Sequence, residues 1–358
     1  MTELHCYEEL DKYFQGKVLL VCGGSIKFLR INEYFENKKN VVEFHDFISN
    51  PLYESVVKGV DLFRKEKCTA IIAVGGGSAI DVAKCIKLYS NMDDSINYLT
   101  QEIIPNDIPL IAVPTTAGTG SEATRYAVIY YNGEKQSIAD VSCIPTAVLL
   151  DDSVLETLPE YQKKATLMDA FCQSIESFWS INSTKESKGY SKEAINIIMN
   201  NYEDYLDGDN SKNKLILKAA NISGKAINIT QTTAGHAMSY KLTSLYNIAH
   251  GHAVALCISK IWPFMVNHID QCIDCRGIEY LNETFGEIAE SMGCKTSRDA
   301  IEKFESMLFK FGLEAPMNVR DEDYDVLKQS VNPVRLKNNP VLLTAENIDD
   351  IYHEILRG

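Results

Sequence analysis

Of the seven histidines in the chain, three fall between Gly235 and His252: His236, His250 and His252. Upstream, Asp169 and Gln173 stand four residues apart in the run DAFCQSIE, so on a helix they share one face. A carboxylate and two imidazoles suffice to hold a divalent metal with an open position. The competing reading is helix caps and internally satisfied polar groups. His5, His45, His268 and His353 lack such company and read as structural or surface residues.

Two further segments suit a phosphate-bearing ligand. Gly75-Gly76-Gly77-Ser78 follows an apolar run and opens a helical pattern containing Asp81 and Lys84. Glycines let a backbone approach a ligand closely, and a helix start offers free N–H groups. The triad is neither GxGxxG nor a Walker loop. The second segment, PTTAGTGSE (Pro114–Glu122), brings Thr115, Thr116, Thr119 and Ser121 to the end of another apolar run. Two such loops at one sheet edge point to a nucleotide site.

The elements that position these residues fall into two parts. Lys17–Cys22, Val41–Phe44, Cys68–Val74, Leu110–Val113 and Ala147–Leu150 read as buried strands. Helical spacing over 26–36, 52–67 and 77–89 separates the first four. That order predicts a doubly wound parallel sheet. Asn132-Gly133 predicts a hairpin between Tyr126–Tyr131 and Lys135–Ala139. Beyond residues 152–160 helical periodicity dominates, as in 162–179, 187–205, 213–238 and 277–292. The expected fold is therefore an α/β N-terminal dinucleotide-binding domain (1–155) and an all-α C-terminal domain (156–358).

The chain has 358 residues, 45% of them hydrophobic, and a net charge of −14. So acidic a composition argues against nucleic-acid binding. The acidic N-terminus and the five-residue first apolar run, Val18–Cys22, argue against export and a membrane span. A cytoplasmic location with ten mostly reduced cysteines is expected, and the lone pair Cys272/Cys275 does not make a zinc site.

Taken together, GGGSAIDVAK, PTTAGTGSE, MDAFCQSIES and GHAMSY…HGHAVAL resemble the iron-dependent (group III) alcohol dehydrogenases almost end to end. The resemblance implies the dehydroquinate synthase-like fold, NAD(P) at the sheet edge, a metal (Fe²⁺ or Zn²⁺) in the helical domain and reaction in the cleft between. Residue by residue it implies a pyrophosphate turn at Gly76, Gly77 and Ser78, with Asp81 toward the nicotinamide. Thr115, Thr116 and Thr119 meet the adenosine half and ribose, and Lys135 a ribose. Metal ligands are Asp169, position 173, His236 and His250. The family usually has His where this chain has Gln173, and often a second His where it has Tyr240. A tyrosine of ordinary pKa, about 10, is no base near neutrality, so His252 becomes the candidate for proton relay.

The runs DAFCQSIESFWSINSTKES, SGKAINITQTTAGHAMSYKLT and HGHAVAL further resemble the phosphonoacetaldehyde reductase (hydroxyethylphosphonate dehydrogenase) subgroup. A dianionic substrate needs a local cation, for which Lys241 and Arg125 are candidates. The first strand is followed by Gly23-Gly24-Ser25-Ile26-Lys27, with no acid to repel a 2′-phosphate, so NADP(H) is expected over NAD(H); Asp46 is the counter-argument. The expected activity is reduction of a small aldehyde to an alcohol by a homodimer. Alternatives are a general short-chain alcohol dehydrogenase, a lyase of the 3-dehydroquinate synthase type, or a non-catalytic relic.

Overall fold

The computed structural model describes residues 1–357 and divides into two compact units, 1–158 and 159–358. The first contains strands β1 (Thr2–Leu4), β2 (Lys17–Cys22), β3 (Val41–Phe44), β4 (Cys68–Gly75), β5 (Leu110–Pro114), β6 (Tyr126–Tyr131), β7 (Glu134–Ala139) and β8 (Ala147–Leu149), with helices α1 (Ile31–Glu36), α2 (Tyr53–Lys65) and α3 (Gly77–Tyr89). Six strands form one sheet in the order β1-β8-β5-β4-β2-β3, and every pair is parallel. β2, β4 and β5 are buried almost throughout, as continuous apolar strands covered on both faces must be. The predicted hairpin forms as β6–β7, with Asn132 at φ 52° and Gly133 at φ 76°.

The sheet order sets the place for a ligand. From β2 the chain steps one way to β3 and the other way to β4, so the switch point lies between β2 and β4. There the carboxyl ends leave a crevice. Cys22 pairs with Val74, and Gly75 with Pro114, so the loops after β2, β4 and β5 emerge side by side.

The second unit is helical: α4 (Glu160–Trp179), α5 (Lys185–Leu206), α6 (Asn213–Thr230), α7 (Ala234–Tyr246), α8 (His250–Asn267), α9 (Gly277–Ser291), α10 (Ser297–Phe311), α11 (Asp321–Gln329), α12 (Pro333–Leu336) and α13 (Ala345–Arg357). α4 is buried without a break from Leu167 to Trp179, the pattern of a central helix. Trp179, Trp262, Phe285 and Phe304 pack edge-on around it.

Three local expectations change. β1 is too short to read from sequence and exists because β8 pairs with it. The stretch 26–36 is a 3₁₀ turn (Gly24–Phe28) followed by the short α1. The stretch 213–238 is two helices, broken at Gln231 with φ 61°. Among the described residues, no helix is long and apolar enough to cross a membrane.

Candidate metal centre and nucleotide site

Asp169 and Gln173 lie on the buried face of α4, His236 in the first turn of α7 and His250 at the start of α8. Donor atoms of Asp169, His236 and His250 all lie within 4.8 Å of one another, the one such group among the described residues. Gly251 permits this. A Cβ there would stand 2.0 Å from the Ala165 carbonyl oxygen and 2.7 Å from the Asp169 Cβ, so only glycine lets α8 approach α4 so closely.

The electrostatics are strongly coupled. Burial pushes the Asp169 carboxyl up, but His236 and His250 outweigh it and hold it below the usual carboxylate range. Burial lowers His236, yet the Glu176 and Asp169 carboxylates overcome this and push it up to about 10. His236 Nε2 lies 3.5 Å from an Asp169 oxygen, is fully buried and has no hydrogen-bond partner. A buried ring nitrogen without a hydrogen bond costs free energy, and a divalent ion bound there would displace its proton and take the lone pair. Two imidazoles and a carboxylate around it fit a divalent metal.

Neighbouring residues hold this set in shape. His236 meets His250 edge to face at 5.2 Å, and Tyr240 lies parallel to the His250 ring at 5.6 Å and 2°. The Gln173 side-chain oxygen accepts from Ser223 Oγ at 3.1 Å, and its nitrogen faces Asp169 Oδ1 at 3.4 Å. As oriented, the amide directs its nitrogen toward the acidic donor, and a metal would be held by the other three residues. Lys241 is half-buried on α7 and makes no ion pair among the described residues.

His252 stands outside the donor set. Its Nε2 donates to the Glu314 carbonyl at 3.0 Å and its Nδ1 accepts from the Tyr161 hydroxyl at 3.0 Å. Tyr161 also accepts from the Ala249 amide. With both ring nitrogens engaged in these hydrogen bonds, His252 fastens the start of α8. Burial lowers its pKa, consistent with a neutral ring in that role.

In the first unit the two predicted loops meet. The Thr115 amide donates to the Gly75 carbonyl at 3.0 Å. A Cβ on Gly76 would come within 3.3 Å of Thr116 Oγ1, and one on Gly77 within 3.0 Å of Thr119 Cγ2. No side chain caps α3 and no acid occupies its first turn, so the amides beside Gly77 and Ser78 fit a pyrophosphate. Asp81 accepts from Ser121 Oγ at 2.6 Å and from the Val128 amide at 3.0 Å, which ties α3 to the threonine loop and to β6. Lys135 in β7 is half-buried and within electrostatic range of Asp81.

Sequence reasoning missed Lys84. Fully buried, its Nζ reaches the Ser121 and Tyr126 carbonyls at 2.6 Å each, Ser121 Oγ at 3.0 Å and Thr124 Oγ1 at 3.1 Å, tying α3 to the threonine loop. Desolvation lowers its pKa. Its spacing from Asp81, one helical turn, was the available signal. Glu176 was missed as well; it lies two turns beyond Asp169 on the same buried face.

The turn after β2 differs from expectation. Gly23 precedes a five-residue 3₁₀ turn rather than a helix, so no helix dipole supports an anion there. Gly23 and Gly24 face open space, while Lys27 is exposed with its ammonium 5.0 Å from the Phe28 ring. Asp46 is exposed and paired with Lys58 at 2.6 Å. Arg125, half-buried, follows the threonine loop.

The chain is 29% identical over 330 residues to the phosphonoacetaldehyde reductase of Streptomyces viridochromogenes, spanning 87% of this chain and 82% of that protein. It is 28% identical over 319 residues to the NAD-dependent methanol dehydrogenase of Bacillus methanolicus, spanning 86% and 82%. The sulfoacetaldehyde reductase of Bifidobacterium kashiwanohense, solved in complex with NAD⁺, shares its fold with a TM-score of 0.88 at 24% identity, over 99% of this chain and 96% of that one. The iron-containing alcohol dehydrogenase of Thermotoga maritima superposes with a TM-score of 0.84 at 25% identity, over 100% and 98%. These likenesses give the dehydroquinate synthase-like fold. Residues 2–152 match the family described as iron-containing alcohol dehydrogenase, and residues 163–356 match the C-terminal domain described as Fe-containing alcohol dehydrogenase family. With these two domains matched in order along the chain, and three candidate metal donors on α4, α7 and α8, the chain belongs to the iron-containing alcohol dehydrogenase family.

Proposed function

We propose that this protein reduces a small anionic aldehyde, of the phosphonoacetaldehyde type, to its alcohol with a nicotinamide cofactor. The observation that carries the reading is the cluster of buried Asp169 and His236 with half-buried His250, in which His236 Nε2 lacks a hydrogen bond. These three residues hold Fe²⁺ or Zn²⁺, which supplies Lewis acidity toward a carbonyl oxygen. Gly76, Gly77 and Ser78 hold the pyrophosphate of NAD(P)H, which supplies the hydride. Thr115, Thr116 and Thr119 line the adjoining loop, and Lys84 keeps that loop against α3. Lys241, on the helix of His236 and Tyr240, supplies charge for an anionic substrate, and Arg125 is the second cation assigned to that task. Similarity to a phosphonoacetaldehyde reductase supports the substrate class.

NADPH is preferred over NADH in this reading, because nothing acidic follows β2 and the glycines there leave room for a 2′-phosphate. The test is steady-state kinetics on protein reloaded with Fe²⁺ or Zn²⁺, using phosphonoacetaldehyde and unsubstituted short aldehydes with both cofactors. Higher kcat/KM for the phosphonate, lowered selectively by Lys241→Ala, supports the reading. Equal kcat/KM on acetaldehyde, or an equal loss on both substrates in the variant, removes the anionic substrate class. Full activity in His236→Ala removes the metal centre.

A further inference from the structure

Glu176 is given no role in the reading above, yet it is wholly buried in α4 beside the metal donors. Four donors converge on it. Its Oε1 accepts from the Thr233 amide at 3.1 Å, the Thr233 hydroxyl at 2.8 Å and the His236 amide at 3.2 Å; its Oε2 accepts from His236 Nδ1. The Thr233 hydroxyl in turn accepts from Trp179 Nε1 at 2.9 Å. Each proton in this chain has one direction: indole to hydroxyl, hydroxyl to carboxylate, imidazole to carboxylate. The same carboxylate caps α7, whose own N-cap residue makes no side-chain cap, and so fixes the break between α6 and α7.

We infer that Glu176 is a positioning residue for the metal. It holds the proton of His236 on Nδ1, presents the Nε2 lone pair to the ion and sets the ring by anchoring the first turn of α7. The inference rests on the metal centre proposed above. A ligand histidine bound through its second nitrogen to a carboxylate is oriented and made more basic, and losing such a partner costs roughly 10–100-fold in metal affinity. Here the effect is sharpened, because Oε1 is committed to three donors. In Glu176→Gln the amide oxygen must take the Oε1 place, so the amide nitrogen faces His236 and donates to Nδ1. The imidazole proton then moves to Nε2, the atom that faces the metal.

Zinc serves as the probe. Affinity is measured by competition with a chromophoric chelator for the wild type, Glu176→Gln and His236→Ala, with thermal unfolding of each as a check on folding. The expected result is 10–100-fold weaker zinc binding in Glu176→Gln and a larger loss in His236→Ala. Wild-type affinity in Glu176→Gln, with zinc lost in His236→Ala, overturns the inference and leaves the metal centre standing. Wild-type affinity in both variants overturns the metal centre itself. Nitrogen-15 NMR of the zinc-loaded wild type decides the question without any variant: a protonated Nδ1 and a metal-bound Nε2 on His236 are expected, and the reverse tautomer refutes the role of Glu176.

Discussion

Gly251→Ala tests whether the metal centre depends on the spacing of two helices. The added Cβ would lie 2.0 Å from the Ala165 carbonyl oxygen, 2.7 Å from the Asp169 Cβ and 2.9 Å from the Asp169 amide nitrogen. All belong to the single turn of α4 that carries the metal carboxylate, and two are backbone atoms that cannot rotate away. Ordinary contact begins at 3.4 Å, so α8 must withdraw by about 1.4 Å at this point. His250 is the adjacent residue and withdraws with it. Metal–ligand distances tolerate changes of only about 0.2 Å, so the site loses a donor rather than stretching. Overpacking of this kind costs about 1–3 kcal/mol in the fold, or about 2–12 °C in a helical unit of this size. The assay is zinc affinity by chelator competition, together with thermal unfolding with and without zinc. At least a hundredfold weaker binding is expected, with zinc adding little to the midpoint. A Gly251→Ala protein that binds zinc like the wild type and melts within a degree of it would show that the helix approach does not set the site.

Other substitutions separate the remaining assignments. Gln173→His should tighten zinc binding roughly tenfold or more, since an imidazole replaces an amide whose oxygen is held by Ser223; unchanged affinity places position 173 outside the ligand set. Tyr240→Phe should keep zinc affinity while Tyr240→Ala weakens it severalfold, because the ring stacked on His250, not the hydroxyl, is what holds the imidazole; equal behaviour of the two variants would refute this. Lys84→Met strands the carbonyls of Ser121 and Tyr126, so it should destabilise the first unit by about 2–4 kcal/mol and raise KM for NADPH while zinc affinity stays put. Gly23→Asp should shift preference toward NADH, measured as the kcat/KM ratio of the two cofactors; no shift would move the reading of the 2′ position to Asp46.

The parallel sheet was legible because β2, β4 and β5 are buried on both faces, so their sequences read as apolar runs. The metal donors were legible for a similar local reason. Asp169 and Gln173 share a helix face, and histidines are scarce in this chain. Where the sequence misled, the cause was long-range. The 213–238 stretch keeps helical spacing throughout, and what breaks it is the Glu176 carboxylate from another helix, binding the Thr233 and His236 amides. His252 resembles its neighbour His250 in sequence, yet two residues along the helix, about 200° of rotation, turn it toward Tyr161 and the Glu314 carbonyl. Lys84 was given no role by its sequence, because the burial of α3 from Val82 to Tyr89 comes from packing against the rest of the first unit. A lysine there survives only because four oxygens from the loop and β6 surround its ammonium.

The two departures from the family pattern act on different properties of one site. In the proposed metal centre Gln173 would remove a donor and lower affinity for the ion, while Tyr240 places an aromatic plane against His250 and so would preserve the direction of a donor that remains. Affinity lost through ligand number is recovered only through preorganisation, because an ion bound by three residues gains most when none of them has to reorient. The chain supplies that order at each donor: Glu176 for His236, Tyr240 and Gly251 for His250, and the packed face of α4 for Asp169. Loss of a bracing residue should therefore weaken the metal more here than in a relative with a histidine at position 173. Combining Gln173→His with Tyr240→Ala measures this directly. The fourth donor should offset most of the loss caused by removing the ring, and additive effects of the two changes would show that bracing and ligand number are independent.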